Sequence, residues 1–160
     1  MKPSLIALFG ILAVILGLGI WYGSSKATKT TSVNDPNRPI VEVSEANFDL
    51  GKMSVKDVRD HEFTVKNIGK SDLLLKQFTT SCGCTSAVVI QDGVTSPKFA
   101  MHINSNWQTT LAPDKSLVVK ATYDPRAMPV EGKVERSVTF ATNDPEKPSV
   151  ELKLIAEVSK

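Results

Sequence analysis

The sequence predicts an all-β domain, an antiparallel β-sandwich, preceded by one N-terminal transmembrane helix. Two observations lead to this fold class: residues 4–22 carry no charge, and from Ile40 onward apolar and polar residues alternate with a period of two. Clusters of turn-forming residues separate the alternating runs. We therefore divide the chain into an N-terminal transmembrane anchor or signal sequence over 1–23, a flexible linker over 24–39 and a β-sandwich domain over 40–160.

The uncharged segment reads SLIALFGILAVILGLGIWY over residues 4–22. A helix of this length spans roughly 28 Å, which is about one hydrocarbon core, and Trp21 and Tyr22 at its end favour the headgroup layer. The run is longer than the apolar region of a signal peptide, although cleavage remains an alternative. We expect a single-pass protein of the cell membrane whose C-terminal domain is extracytoplasmic, either periplasmic or on the cell surface.

The segment after the apolar run, KATKTTSVNDPNRP over residues 26–39, is polar and contains two prolines. Such a composition buries little apolar surface and is typical of a linker. The predicted domain therefore begins where β-type alternation begins, at Ile40.

Alternation is clearest in four runs, namely residues 61–66, 116–123, 136–142 and 150–158. In the first run, His61 shares a face with Phe63 and Val65, so its ring is expected to point inward near the end of a sheet. Turn signals rich in Gly, Pro, Asn and Asp lie between the runs, and no amphipathic helix follows the anchor. About seven short strands with frequent turns predict two packed antiparallel sheets.

Charge and composition exclude several classes of function. The formal net charge of the 160 residues is +2, and the basic and acidic side chains are interspersed rather than clustered. Nucleic-acid binding is therefore not expected, because it requires grouped Lys and Arg. Two His residues leave few groups for acid–base chemistry near neutral pH, and no catalytic motif is present. We predict that the chain is not an enzyme.

Several landmarks occur in an order that resembles a known bacterial family. They are Phe48-Asp49-Leu50-Gly51, the run from Phe63 to Gly69, Ser81-Cys82-Gly83-Cys84-Thr85, Ala112-Pro113-Asp114-Lys115-Ser116 and Thr142-Asn143-Asp144-Pro145. Together they resemble domain-of-unknown-function (DUF) family 1573, whose extracytoplasmic Ig-like domains are similar to modules of the ASPM/SPD-2/Hydin type. The resemblance covers roughly residues 40–158 and implies an immunoglobulin-like fold and export, without an assigned activity. The segment from Val94 to Thr110 is longer than we expect for that family.

The Cys-Gly-Cys pair has three possible roles. Cys82 and Cys84 could be structural, either as buried thiols or as a disulfide that closes a tight ring. They could instead bind a soft metal, copper or zinc, with Met101, His102 or His61 completing the ligand set. They could also exchange thiols and disulfides, although the C-x-x-C spacing of redox proteins is absent.

These observations lead to two hypotheses about function. The first is a membrane-anchored extracytoplasmic Ig-like module that needs no cofactor and binds another protein or an envelope component. The alternative is an envelope protein that binds copper or zinc, or performs thiol-redox chemistry, through the Cys-Gly-Cys pair. Fold alone does not separate the two hypotheses.

Overall fold

Alternating side chains bury one face of the longer strands, and the strands pair into two sheets that enclose a common core. The computed structural model describes residues 32–101, 103 and 106–160. The strands of these residues are β1 (Val41–Val43), β2 (Asn47–Ser54), β3 (Arg59–Asn67), β4 (Leu73–Thr80), β5 (Thr85–Gln91), β6 (Val94–Thr95), β7 (Phe99–Ala100), β8 (Gln108–Leu111), β9 (Ser116–Tyr123), β10 (Gly132–Thr142) and β11 (Ser149–Ser159). A single turn of 3-10 helix, Pro125–Ala127, follows β9.

The first sheet has the strand order β1-β3-β9-β5-β6, and β7 also pairs with β5. The second sheet has the order β2-β11-β10-β4-β8. All pairs are antiparallel except β2 and β11, which are parallel, so the prediction of purely antiparallel sheets is wrong at this one pair. The exception arises because the chain leaves the first sheet after β1 and enters the second beside β11, running in the same direction.

The core confirms the predicted alternation. Phe63 and Val65 are buried, and His61 is partly buried on the same face, where its ring stacks on that of Phe48 with 3.5 Å between ring centroids. A separate aromatic cluster joins the two sheets through Phe78, which stacks on two other buried rings, those of Phe99 and Phe140. Apolar burial on this scale is the main favourable term in folding.

The residues that lead into β1 lie against the second sheet's last turn. Arg38, within the range predicted as linker, pairs with the buried carboxylate of Asp144 at 2.9 Å and with Glu146 at 2.7 Å. The other oxygen of Asp144 accepts from the backbone N–H of Val41 at 2.9 Å. Asp144 therefore connects the start of the domain to the turn before β11.

The segment between β5 and β9 is the long one noted in the sequence. It forms the short strands β6, β7 and β8, which make the count of strands higher than the predicted seven. Trp107 packs its ring against Phe78 and Phe99, so this segment contributes to the core.

The predicted anchor over residues 4–22 lies outside the described residues. None of the helical structure within 32–101, 103 and 106–160 is long and apolar enough to cross a bilayer.

Candidate functional site

The Cys-Gly-Cys pair lies in the short connection between β4 and β5, at one end of the sandwich. Cys82 and Cys84 are joined by a disulfide, and their Cα atoms are 5.2 Å apart. Cys82 is 9% exposed and Cys84 is 2% exposed, so both residues belong to the buried core and Cys82 is the more exposed of the two. Of the two structural roles considered for these cysteines, buried thiols or a disulfide, this arrangement corresponds to the disulfide.

Hydrogen bonds fix the backbone around the disulfide. The hydroxyl oxygen of Thr80, buried at the end of β4, lies 3.0 Å from the carbonyl oxygens of both Cys82 and Thr85. The N–H of Ser81 donates to Ser137 O at 3.0 Å, and the N–H of Ser137 donates to Ser81 Oγ at 2.9 Å. The loop is thus attached to β10 by a reciprocal pair of bonds.

The β9 end of the first sheet holds the other side of the loop. The N–H of Asp124 donates to the carbonyl oxygen of Cys84 at 2.8 Å. Tyr123, the last residue of β9, pairs in register with Thr85 and is fully buried. The disulfide therefore sits where β4, β5, β9 and β10 meet.

The two sulfurs have different polar neighbours. Cys82 Sγ accepts from the backbone N–H of Cys84 at 3.2 Å and from the hydroxyl of Thr85 at 3.3 Å. Cys84 Sγ accepts from Nε of Arg136 at 3.1 Å, while the hydroxyl of Thr85 is farther away at 3.9 Å. The hydrogen-bond donors to Cys82 Sγ are therefore neutral, whereas Cys84 Sγ accepts from a cationic side chain.

Arg136 occupies a position on β10 that shares its phase with the buried residues Val134, Val138 and Phe140. Its guanidinium carbon lies 5.7 Å from the centre of the Tyr123 ring. Nη1 donates to the carbonyl oxygen of Glu135 at 2.9 Å, and no carboxylate forms an ion pair with Arg136 in the part of the chain that the structure describes. The sequence analysis did not single out this arginine.

The other residues proposed as metal ligands are placed differently. Met101 follows β7, whose Ala100 pairs with Ser86, so Met101 lies at the same end of β5 as the disulfide, and it is 46% exposed. His102 lies outside the described residues. His61 lies on β3, which is separated from β5 by β9, and its ring stacks on that of Phe48 instead.

No cluster of three or more His, Cys, Asp or Glu side chains suited to a metal ion occurs among the residues described here. Two sulfurs bonded to each other are not thiolates, and thiolates are the form of cysteine that binds metals. The prediction of copper or zinc binding therefore concerns only the reduced pair, and it stays a prediction.

Solved structures show the same type of fold. A protein of unknown function from Porphyromonas gingivalis is 20% identical with a TM-score of 0.58, over 76% of this chain and 48% of that one, so the chain spans about half its length. The PapD-like domain 7 of human CEP192 is 12% identical with a TM-score of 0.50, over 86% and 96%. The secreted serine protease VesC of Vibrio cholerae is 16% identical with a TM-score of 0.50, over 74% and 23%.

These identities are low, so the likeness shows the fold and nothing about activity. A comparison with curated proteins gives no significant match. At the level of families, residues 39–157 match the HYDIN/CFA65/VesB-like Ig-like domain. The narrower resemblance to DUF family 1573 stays a prediction. Because the match spans nearly the whole predicted domain and most of the chain, this protein belongs to the HYDIN/CFA65/VesB-like family of Ig-like domains.

Proposed function

We propose that the chain is a membrane-anchored, extracytoplasmic Ig-like module that binds another protein or an envelope component. The observation that carries the proposal is the Ig-like sandwich itself, whose two sheets bury a common core. Domains of this architecture present loops and sheet edges to partners.

The disulfide supports the proposed location. Disulfides form and persist in oxidising compartments such as the periplasm and the cell surface, and they are rare in the cytosol. The bond between Cys82 and Cys84 is consistent with an extracytoplasmic domain. The apolar segment 4–22 supplies the proposed tether.

Exposed apolar side chains indicate where a partner would make contact. Val94 is 72% exposed, Met101 is 46% exposed and Ile103 is 48% exposed, and all three belong to the connection between β5 and β8. Val94 lies beside the Gln91 end of β5, whereas Met101 and Ile103 lie beside the Ser86 end, so the three side chains do not form one patch. Val94 is the most exposed of the three. We propose that the partner contacts the hairpin of β5 and β6 at Val94.

The location is tested on membranes from cells that express the full chain. We expect the protein to resist alkaline extraction and to be cleaved by a protease added outside the cytoplasmic membrane. Release by alkali, or protection of the domain until the cytoplasmic membrane is opened, would contradict the proposed topology.

Binding is tested by photo-crosslinking in the same membranes. A photoreactive residue replaces Val94 in one variant and the exposed Glu151 on the outer face of β11 in a matched control. We expect one defined adduct from position 94, absent from position 151 and suppressed by excess unmodified full-length chain. Equal labelling from both positions, or no adduct from position 94, would contradict this partner contact.

A further inference from the structure

We propose that the Cys82–Cys84 disulfide is a directional thiol–disulfide exchange site. An incoming thiolate attacks Cys82 Sγ, and Cys84 leaves as a thiolate that the guanidinium of Arg136 stabilises. This activity goes beyond the binding function and does not depend on the partner contact at Val94. Failure of either proposal therefore leaves the other intact.

The exposure of the two cysteine residues differs. Exchange requires the attacking sulfur to reach the sulfur that it attacks. Cys82 is 9% exposed, whereas Cys84 is 2% exposed and its carbonyl is fixed to β9 through the N–H of Asp124. The geometry favours attack at Cys82.

The charges of the hydrogen-bond donors to the two sulfurs also favour attack at Cys82. A thiol leaves more readily when its thiolate is stabilised, and a hydrogen bond from a charged donor is roughly twice as strong as a neutral one. The Nε of Arg136 contacts Cys84 Sγ at 3.1 Å, while the donors to Cys82 Sγ are a backbone N–H and the hydroxyl of Thr85. Cys84 is therefore the better leaving group.

The partly buried guanidinium of Arg136 would also be stabilised by an anion beside it. The side chain lies on the core-facing side of β10, and no ion pair of the described residues includes it. A partly buried cation without a counter-ion is unfavourable in the folded state. Reduction of the disulfide would supply that counter-ion as the Cys84 thiolate.

The reaction is balanced with a dithiol as the reductant. The first donor thiolate forms a bond to Cys82 Sγ, the bond between the two cysteines breaks, and its electron pair remains on Cys84 Sγ. The second thiolate of the donor then attacks the donor sulfur of this mixed disulfide and releases Cys82 as a thiolate, which takes a proton from water. The donor is oxidised to a disulfide, and the protein is reduced by two electrons. The reverse sequence oxidises the protein with a disulfide-bearing molecule.

The first experiment identifies the attacked sulfur in the unmodified full-length chain, solubilised in mild detergent. The oxidised protein is mixed with reduced glutathione in one arm and with a cysteine-containing peptide in a second arm, quenched in acid and mapped by mass spectrometry. We expect adducts on Cys82 to exceed those on Cys84 about tenfold, since access and leaving-group stability act together. The two arms compare a small thiol with a polypeptide thiol as the attacking group. Equal adducts, an excess on Cys84, or no adduct in either arm would overturn the proposal.

The second experiment tests Arg136 as the positioning residue for the thiolate. The equilibrium of the disulfide with a glutathione redox buffer is measured for Arg136→Gln, for Arg136→Lys and for the control Lys133→Gln, which removes a positive charge from the exposed face of the same strand. We expect Arg136→Gln to make reduction about tenfold less favourable, Arg136→Lys to fall between it and the parent, and the control to match the parent.

The sign of the change separates the proposed role from a packing role. If Arg136 only packed the loop, its loss would loosen the disulfide and make reduction easier, and that result would overturn the proposal. An unchanged equilibrium would overturn it as well. Should Arg136→Gln fail to fold, the adduct map of the unmodified chain still decides between the two sulfurs.

Discussion

Substitution of Asn67 is expected to destabilise the domain by several kcal/mol. Asn67, at the end of β3, is fully buried, and its Nδ2 donates to Leu111 O at 2.8 Å and Ser71 O at 2.9 Å. Its Oδ1 accepts from Gly69 N at 2.9 Å and from Ile40 N at 3.5 Å. One amide side chain therefore connects the start of β1, the turn after β3 and the end of β8.

The magnitude follows from the groups that Asn67→Ala would leave without a partner. The bonds to Leu111 and Gly69 are buried, and a buried polar group that loses its partner costs about 1–3 kcal/mol. The bonds to Ser71 and Ile40 are partly buried, so water replaces them in part. We expect a loss of about 3–4 kcal/mol in the free energy of unfolding.

Urea unfolding of the detergent-solubilised chain, followed by circular dichroism, measures this loss. The matched control is Asn47→Ala, because Asn47 is an exposed strand residue and its replacement should change the free energy of unfolding by less than about 0.5 kcal/mol. A loss below about 1 kcal/mol for Asn67→Ala, with an unchanged denaturant slope, would refute the reasoning that this side chain holds the three segments together.

Three further predictions concern other parts of the domain. Gly69→Ala should destabilise by about 2–3 kcal/mol in the same unfolding assay, because the new Cβ would overlap the backbone that leads into β1, and a neutral result would contradict that close approach. Tyr123→Phe should leave the free energy of unfolding unchanged or raise it by up to about 1 kcal/mol, because its buried hydroxyl has no hydrogen-bond partner within the described ranges, and a large loss would reveal a partner. The side-chain hydrogen bond from Arg126 lowers the pKa of Asp124, so Arg126→Gln should raise that pKa toward its ordinary value in an NMR titration. Because the fold depresses this pKa, the small stability contribution of the pair is present above the ordinary carboxyl pKa and is lost as the pH falls through the depressed value.

The sandwich could be predicted from the sequence because its strands bury one face each. The four alternating runs correspond to parts of β3, β9, β10 and β11, whose buried positions follow the period of two. Pairing between strands distant in sequence has no comparable local signal. The parallel contact of β2 with β11 depends on where the chain changes sheets, and no residue type marks that change.

The short strands of the long connection were harder to predict for a related reason. β6 and β7 have two residues each, which is too short for alternation to be recognised. Phe99 in β7 is nevertheless fully buried and stacks on Phe78. Its burial is decided by the pairing of β7 with β5, a tertiary contact that the local sequence does not encode.

The candidate site could be predicted only in part: the sequence pointed to the two cysteines but not to the arginine beside them. The Cys-Gly-Cys spacing pointed to Cys82 and Cys84, but it gave no means of distinguishing the two sulfurs. Arg136 makes that distinction, and it lies 52 residues farther along the chain from Cys84, so spacing could not connect them. One signal was nevertheless present in the strand that contains it. Val134, Val138 and Phe140 are buried at even-numbered positions of β10, so Arg136 belongs to the same core-facing side. A charged residue is unfavourable there unless an anion or a hydrogen-bond acceptor contacts it. A charged residue in the buried phase of a strand therefore implies a polar partner across the core, and here that partner is a sulfur whose charge depends on its oxidation state.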